Sequence, residues 1–552
     1  MLSKVRINQL LCVTLFLASS TSGCVKPPGG SAVEKDMGPP VMADMEVIPD
    51  MAVEEPVDME GDLSPSDGVD DMPLDDGMDQ PDDMLVCEPN VARCASESVR
   101  EVCDPDGKGK RAEPCDASEV CVGGGVCTPR CGEEAGEVCG VERLAGLASG
   151  PHVNRCLGTS ILSLDQYILA GDPCADLTSP AAGLVQAMQF DDGALVPKVV
   201  LDGGGAAGRF GTSMAILNGD LFVGEPDGNT TGSIHYFSEI EEIISNGNGS
   251  GRVLSDCALT PESGLESQAW GEVLAVLPEH RLLFVSDPEW NSNSAVSIGR
   301  VYVYEVASRV DCGMLGNALE LRATLIPPNS ETVDGFGAAM DVRVRTLDGI
   351  ETVEVLIGAP GEDGALFAAS VAVQALLTGN SSAVLLAGLV AHGDEYQVSE
   401  LGNAVTFATE EVWAYASATG AEDNDAFYVV DFEGDSPALS PLGVSSPALS
   451  DSSVGLTLHA PVGGGGFWTS AISSDENHLA HVAVDSAKQS EVTWVIALSD
   501  LLQDGAMMPL SRFGEALISF QGGRYLIVGA PGWSDDGSDT RGALFTIDLG
   551  GE

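Results

Sequence analysis

The sequence predicts an all-β fold: a seven-bladed β-propeller of four-stranded antiparallel blades, preceded by a small disulfide-rich module and a disordered acidic linker. Three observations carry this reading. Apolar residues are 44% of the 552 positions and aromatics only 5%, while 66 Gly and 30 Pro break the chain into short runs. That punctuation suits short strands joined by turns rather than a helical bundle. From residue 141 to the end, an aromatic–glycine pair recurs, followed each time by an apolar run that closes on small residues and often a proline.

Charge removes one class of function at once. Against 25 Lys+Arg stand 84 Asp+Glu, a formal net charge of -59. Nucleic-acid binding needs a basic surface that releases counterions, and this chain would be repelled by phosphate.

Residues 1–23 read as a secretory signal peptide. Lys4 and Arg6 form a basic start, residues 10–18 are apolar, and small residues lead to Cys24. The apolar run is too short to span a bilayer. No comparable long apolar run follows, so no spanning helix is expected after it. The stretch Thr21-Ser22-Gly23-Cys24 resembles a bacterial lipobox, with Thr21 where that motif usually has Leu. The resemblance implies lipidation of Cys24 and, with Val25 following, an outer-membrane lipoprotein facing the surface or the periplasm. An ordinary cleaved signal is the alternative.

Residues 24–86 read as a tether. Residues 31–86 hold 18 acidic residues, one Lys, seven Pro and no aromatic, and Asp-Met recurs at 36, 44, 50, 58, 71 and 83. Such a segment cannot bury enough apolar area to offset its ordering entropy, and its like charges extend it. A spacer from the membrane is the expected role; an acidic interaction tail is the rival.

Residues 87–140 read as a disulfide module. Cys87, Cys94, Cys103, Cys115, Cys121, Cys127, Cys131 and Cys139 form an even set without a C-x-x-C pair or a histidine. In an exported chain this indicates crosslinks rather than zinc, and crosslinks must replace the core that so few large apolar residues cannot build. The module loosely resembles Cys-rich stalks of some Gram-negative surface proteins. Downstream, nearest-neighbour pairing joins Cys156 to Cys174 and Cys257 to Cys312, each within one or two repeats.

Residues 141–552 form the repeat. The clearest units pair Phe210-Gly211 with Gly224-Glu225-Pro226, Phe336-Gly337 with Gly358-Ala359-Pro360, and Phe513-Gly514 with Gly529-Ala530-Pro531. Looser units start at Leu157, Trp270, Leu401 and Val454. Each carries three or four β-rich runs, and Asn218-Gly219 and Gly522-Gly523 are tight-hairpin dipeptides. Seven four-stranded units fit a ring that leaves only short sheet edges; six blades remain the alternative if one weak unit is not a blade. The aromatic of each pair should pack between blades. The chain ends on a third strand, so the fourth strand of the last blade should come from residues near 142–153.

These units resemble the FG-GAP repeat of the integrin alpha-chain propeller, with Phe210, Gly211, Phe336, Gly337, Phe513, Gly514, Pro226, Pro360 and Pro531 carrying the match. The resemblance implies loops that recognise a protein or glycan ligand. It also implies calcium, for which the residues offer only weak candidates: Asp341 and Asp348 in one hairpin, and Asp535, Asp536 and Asp539 after a Gly-Ala-Pro corner. Solvated acidic loops are the plainer reading, because the short hairpins do not offer the six or more oxygens that calcium prefers.

Catalytic signatures are absent from the sequence: no G-x-S-x-G, P-loop or H-E-x-x-H occurs, and the His residues form no metal spacing. The abundance of Asp and Glu hides any specific carboxylate pair. Trp290 and Trp533 fall in loops after the proline corners, where packing over a blade edge is favoured over stacking on sugars. The expected function is therefore a membrane-anchored binding or adhesion protein, not an enzyme, with no cofactor. The rival is an exported propeller-type glycan hydrolase or lyase. That rival predicts carboxylates of raised pKa around the axis.

Overall fold

In the computed structural model, the described residues begin at Ala92 and include most of the chain from residue 156 onward. The expected signal segment, Cys24 and the tether lie outside them.

In the disulfide module, Ala92–Ser96, Val99–Cys103 and Lys110–Pro114 form an antiparallel sheet, and Glu119–Val122 pairs with Val126–Pro129. Cys103 is buried and disulfide-bonded. Cys94, Cys121 and Cys127 lie on strands, while Cys87, Cys115, Cys131 and Cys139 fall outside the described residues.

Seven blades follow, each an antiparallel four-stranded sheet. Their inner strands are Ser160–Leu164, Met214–Leu217, Leu274–Leu277, Ala339–Leu347, Val405–Phe407, Ser453–His459 and Leu517–Phe520. Each inner strand touches those of both neighbouring blades, and the ring closes between the seventh and the first. One of the two expected tight hairpins is present: Leu217 pairs with Asp220 across Asn218 and Gly219, both at positive φ, as a two-residue turn that follows strand twist requires, whereas Gly522 and Gly523 lie in a four-residue loop between Phe520 and Tyr525.

The last blade is completed from the other end of the propeller chain. Gly140–Ala145 lies antiparallel to Ala543–Asp548, with Leu144 opposite Leu544. Closure is thus as expected in kind, but the strand starts slightly earlier than residues 142–153. One long-range pairing closes the ring with backbone hydrogen bonds rather than packing alone.

The aromatic–glycine pair has a mechanical explanation. In six blades the pair, with Leu157 and Leu401 in place of the aromatic in two of them, forms the centre of a turn: the amides of Thr159, Thr212, Glu272, Ala338, Asn403 and Glu515 donate to the carbonyls of Cys156, Arg209, Ala269, Gly335, Glu400 and Arg512. The glycine in each turn has φ near +90°, for example Gly211 at 94° and Gly337 at 97°. This is the third position of a type II turn, which a Cβ disfavours. Each glycine amide also donates to the corner residue of its own blade, Gly211 to Gly224 and Gly337 to Gly358. Its carbonyl faces the corner glycine of the preceding blade. A Cβ on Gly171, Gly224, Gly358 or Gly529 would overlap the carbonyl oxygen of Gly211, Gly271, Gly402 or Gly158, respectively. The two glycines of the repeat are therefore interlocking parts of one seam. Hydroxyls reinforce it: Ser160 Oγ donates to Gly211 O and Ser213 Oγ to Gly271 O, each at 2.7 Å. In blade six, Val454-Gly455 instead sits inside the inner strand, whose pairing slips between Val454 and Leu458.

The apolar core is distributed over the seams. Phe210, Phe336 and Phe513 are fully buried, each in a cluster shared with the preceding blade. The closing seam packs Phe190 of blade one against Phe520 and Tyr525 of blade seven, with ring centroids 4.9 and 4.8 Å apart.

Two features were not foreseen. Gly251–Leu254 and Ala383–Leu386 add as parallel fifth strands to the outer edges of blades one and three, although each belongs to the chain of the following blade. Short helices, Ile240–Ser245 and Val373–Thr378, lead into them. These straps cover edges that would otherwise offer unpaired backbone groups. Cys156–Cys174 and Cys257–Cys312 are both bonded, as the nearest-neighbour pairing required. The second joins outer segments of blades two and three. No helix among the described residues is long and apolar enough to cross a membrane.

Candidate functional site

Strands alternate up and down within each blade, so all inner strands start from one end of the ring. The turn before each inner strand therefore stands around the axis at that end. The repeat fixes the turn backbone but leaves its first and fourth residues free to vary. Those positions carry Arg209 and Arg512 before a Phe, Glu400 before Leu401, and Thr212, Glu272, Asn403 and Glu515 after the glycine.

Two of these carboxylates are held away from their ordinary behaviour. Burial pushes the Glu515 carboxyl up to about 7, with Arg512 pulling the other way. Their ion pair measures 2.6 Å, and the Arg512 side chain is 63% exposed against 18% for Glu515. The solvated partner is therefore too weak to offset desolvation of the carboxylate. Burial likewise raises Glu272, opposed by Arg209. Arg209 donates to Asp227 at 2.5 and 3.1 Å and to Glu272 at 3.1 Å, tying the turn of blade two to that of blade three.

Backbone strain accompanies the charges. Arg209, Glu400 and Arg512 have φ of 59°, 53° and 51°, where blade four has Gly335 at 76°. Non-glycine residues held in this region cost about 1–3 kcal/mol each and concentrate at functional sites. The mouth thus combines acids, guanidinium groups and strained turns.

Closer to the axis, Ser519 N and Oγ lie 2.9 Å from His459 Nε2, the amide donating to it, so that nitrogen carries no proton. Burial lowers the His459 pKa to about 4. Between blades four and five, buried Glu354 takes Arg343 at 2.8 Å and Arg345 at 2.7 Å, and the Arg343 guanidinium stacks 4.2 Å over Phe407. This group joins the two blades.

The sequence-expected sites are dispersed. Asp341 accepts the amides of Val342 at 2.8 Å and Phe407 at 2.7 Å, which makes it an inter-blade brace rather than an open calcium ligand. Burial raises its pKa, with those amides opposing the shift. Asp348, Asp535, Asp536 and Asp539 lie outside the described residues. Among the described residues no group of three or more His, Cys, Asp or Glu could hold a metal. Trp290 and Trp533 are buried, Trp290 beneath Arg300 and Trp533 against Phe545, so packing wins over sugar stacking. Glu272, Glu515, Arg209 and Arg512 were missed as a set. The available signal was positional: all four flank aromatic–glycine pairs.

No family model matches the chain, and no curated protein matches it. Among solved structures, it is similar to the polysaccharide lyase Uly1, at 10% identity over 71% of this chain and 90% of that one, with a TM-score of 0.39. It is similar to a proposed 6-phosphogluconolactonase from Bacteroides uniformis, at 12% identity over 62% and 88%, TM-score 0.37. It is also similar to the periplasmic gluconolactonase of Pseudomonas aeruginosa, at 14% identity over 60% and 96%, TM-score 0.28. The expectation that this chain is not an enzyme is corrected here, because all three are named as enzymes. At these scores the likeness assigns no reaction to this chain.

Proposed function

We propose that this chain is an exported, membrane-anchored propeller head that binds a glycan at its axial mouth. The observation that carries the reading is the ring of turns in which Glu272 and Glu515, each beside an arginine, replace the small residue found in blade four. Carboxylates and guanidinium groups alternating with Thr212 and Asn403 provide acceptors and donors matched to vicinal hydroxyls. Lipidation at Cys24 and the acidic tether would hold this head away from an outer membrane.

A second reading has one specific observation in its favour. A carboxyl with a pKa of about 7 is still substantially protonated near neutrality, as a general acid for glycosidic cleavage must be. Calorimetry of the full chain against neutral and uronate-containing oligosaccharides, with and without calcium, tests the binding claim. Product analysis of the same mixtures tests turnover. A fitting glycan should bind about 10-fold or more weakly to Glu272→Gln and Arg209→Gln, the effect of losing one charge-assisted hydrogen bond. Binding that both variants retain, or capture of protein ligands only, would overturn the assignment to the mouth.

A further inference from the structure

A second cluster lies at the rim of the seam between blades one and two, packed behind the Phe210 turn. Glu225 ends the second strand of blade two, Asp220–Glu225, and His235 sits in the third, Ser233–Phe237. Ser255 follows the strap Gly251–Leu254, at the point where the chain crosses back from blade one to blade two. His235 Nε2 is 2.8 Å from Glu225 Oε2, and His235 Nδ1 is 3.0 Å from Ser255 Oγ. Glu225 and His235 are almost wholly buried, whereas Ser255 is half-buried.

The bonding fixes the roles. Glu225 Oε2 also accepts Ser233 Oγ at 2.7 Å. An ionised carboxylate only accepts, so Nε2 carries the imidazole proton and the Nδ1 lone pair faces the Ser255 hydroxyl. The ring is clamped in that orientation. Phe210 meets it edge-on at 5.1 Å between centroids, and a Cβ on Gly203 would come within 2.9 Å of its Cε1. Glycines 205, 208 and 228 crowd Glu225 so closely that a Cβ on any of them would meet its side chain. A half-buried hydroxyl, a buried base and a buried carboxylate that orients the base, in hydrogen-bond series, are the elements of an activated nucleophile. A purely structural seam would not need the hydroxyl end of the series at the surface. The neighbouring charges are Arg252, paired with Asp202, and Asp256, which accepts Ser238 Oγ and the Ser238 amide.

We propose that Ser255, His235 and Glu225 form an acyl-transfer site for carboxylic esters, made of residues other than the Glu272 and Glu515 carboxylates of the mouth. Ser255 Oγ attacks the ester carbonyl as its proton passes to His235 Nδ1. The imidazolium is stabilised by Glu225, then gives that proton to the departing alkoxide. Water repeats the sequence on the acyl-serine, releasing the acid and restoring the hydroxyl.

The test is labelling of the full chain with a fluorophosphonate probe, in which the Ser255 oxygen displaces fluoride from phosphorus, together with hydrolysis of p-nitrophenyl acetate. The label should map to Ser255 and vanish in Ser255→Ala. It should slow about 100-fold or more in His235→Gln, the usual worth of a general base, and remain in Ser238→Ala on the same rim. Ser255→Ala removes only one rim hydroxyl, so its melt should match the parent and exclude unfolding as the cause. A folded parent chain that takes no label at Ser255, or a label equally fast in a folded His235→Gln chain, overturns the proposal.

Discussion

Substituting Gly358 by alanine tests the seam directly. The added Cβ would overlap the Gly402 carbonyl oxygen and stand 2.8 Å from its carbonyl carbon. Both neighbours are backbone, and both are held: Gly402 N donates to Ser417 O, and Gly337 N donates to Gly358 O. No side chain can swing away, so blades four and five must separate locally. Overpacking in a well-packed interior costs about 1–3 kcal/mol, and a backbone-to-backbone overlap belongs at or above that upper end, about 4 kcal/mol. With an unfolding entropy of about 2.1 cal/mol/K per residue over about 400 residues, that loss lowers Tm by about 5 °C. Gly443→Ala is the control. A Cβ there meets nothing within 4 Å and its φ is ordinary, so it should shift Tm by about 1 °C at most. Calorimetry of both variants beside the parent settles the matter. A Gly358→Ala melt within 1 °C of the parent would refute the interlock.

Three further outcomes follow from the same geometry. The Glu515 pKa lies near 7 in the fold against an ordinary value of 4.5, so the folded state loses stability as pH rises from 4.5 through 7, by at most about 3 kcal/mol. Glu515→Gln should therefore melt higher than the parent at pH 8 and alongside it at pH 4; equal melts at pH 8 would contradict this. His459 acts in the opposite sense: its pKa falls from 6.5 to about 4, so stability is lost as pH drops through that window, and His459→Gln should flatten the acid limb of a Tm–pH curve. The disulfides differ in reach, with sequence separations of 55 for Cys257–Cys312 and 18 for Cys156–Cys174. On the chain-entropy scale they contribute about 4 and 3 kcal/mol, so the serine pair at 257 and 312 should lower the denaturation midpoint more than that at 156 and 174.

Much of the architecture was legible because the constraint that makes a blade is local. A type II turn needs glycine after the aromatic, and the corner needs glycine where the next turn's carbonyl arrives, so Phe336-Gly337 and Gly358 announce themselves in any reading. The pairing of Cys156 with Cys174 and the ring closure from the N-terminal side followed from counting units. The straps were not legible. Gly251–Leu254 pairs with a strand of the previous blade, and no periodicity within its own unit encodes that partner. The site was harder still. Glu272 and Glu515 differ from the many other acids of this chain only in standing beside a buried turn, and burial is a property of the ring rather than of the residue. Asp341 shows the converse, since its acidic identity suggested metal while its neighbours are backbone amides.

Hydrogen–deuterium exchange on the intact chain reaches the central point, a ring of seven blades closed by its first strand. The amides of Gly140–Ala145 that pair with Ala543–Asp548 should resist exchange as long as those of the last strand itself, because opening either one opens both. Exchange of residues 140–145 at the rate of free chain, beside a protected 543–548, would contradict the closed ring and with it the mouth on which the functional reading rests.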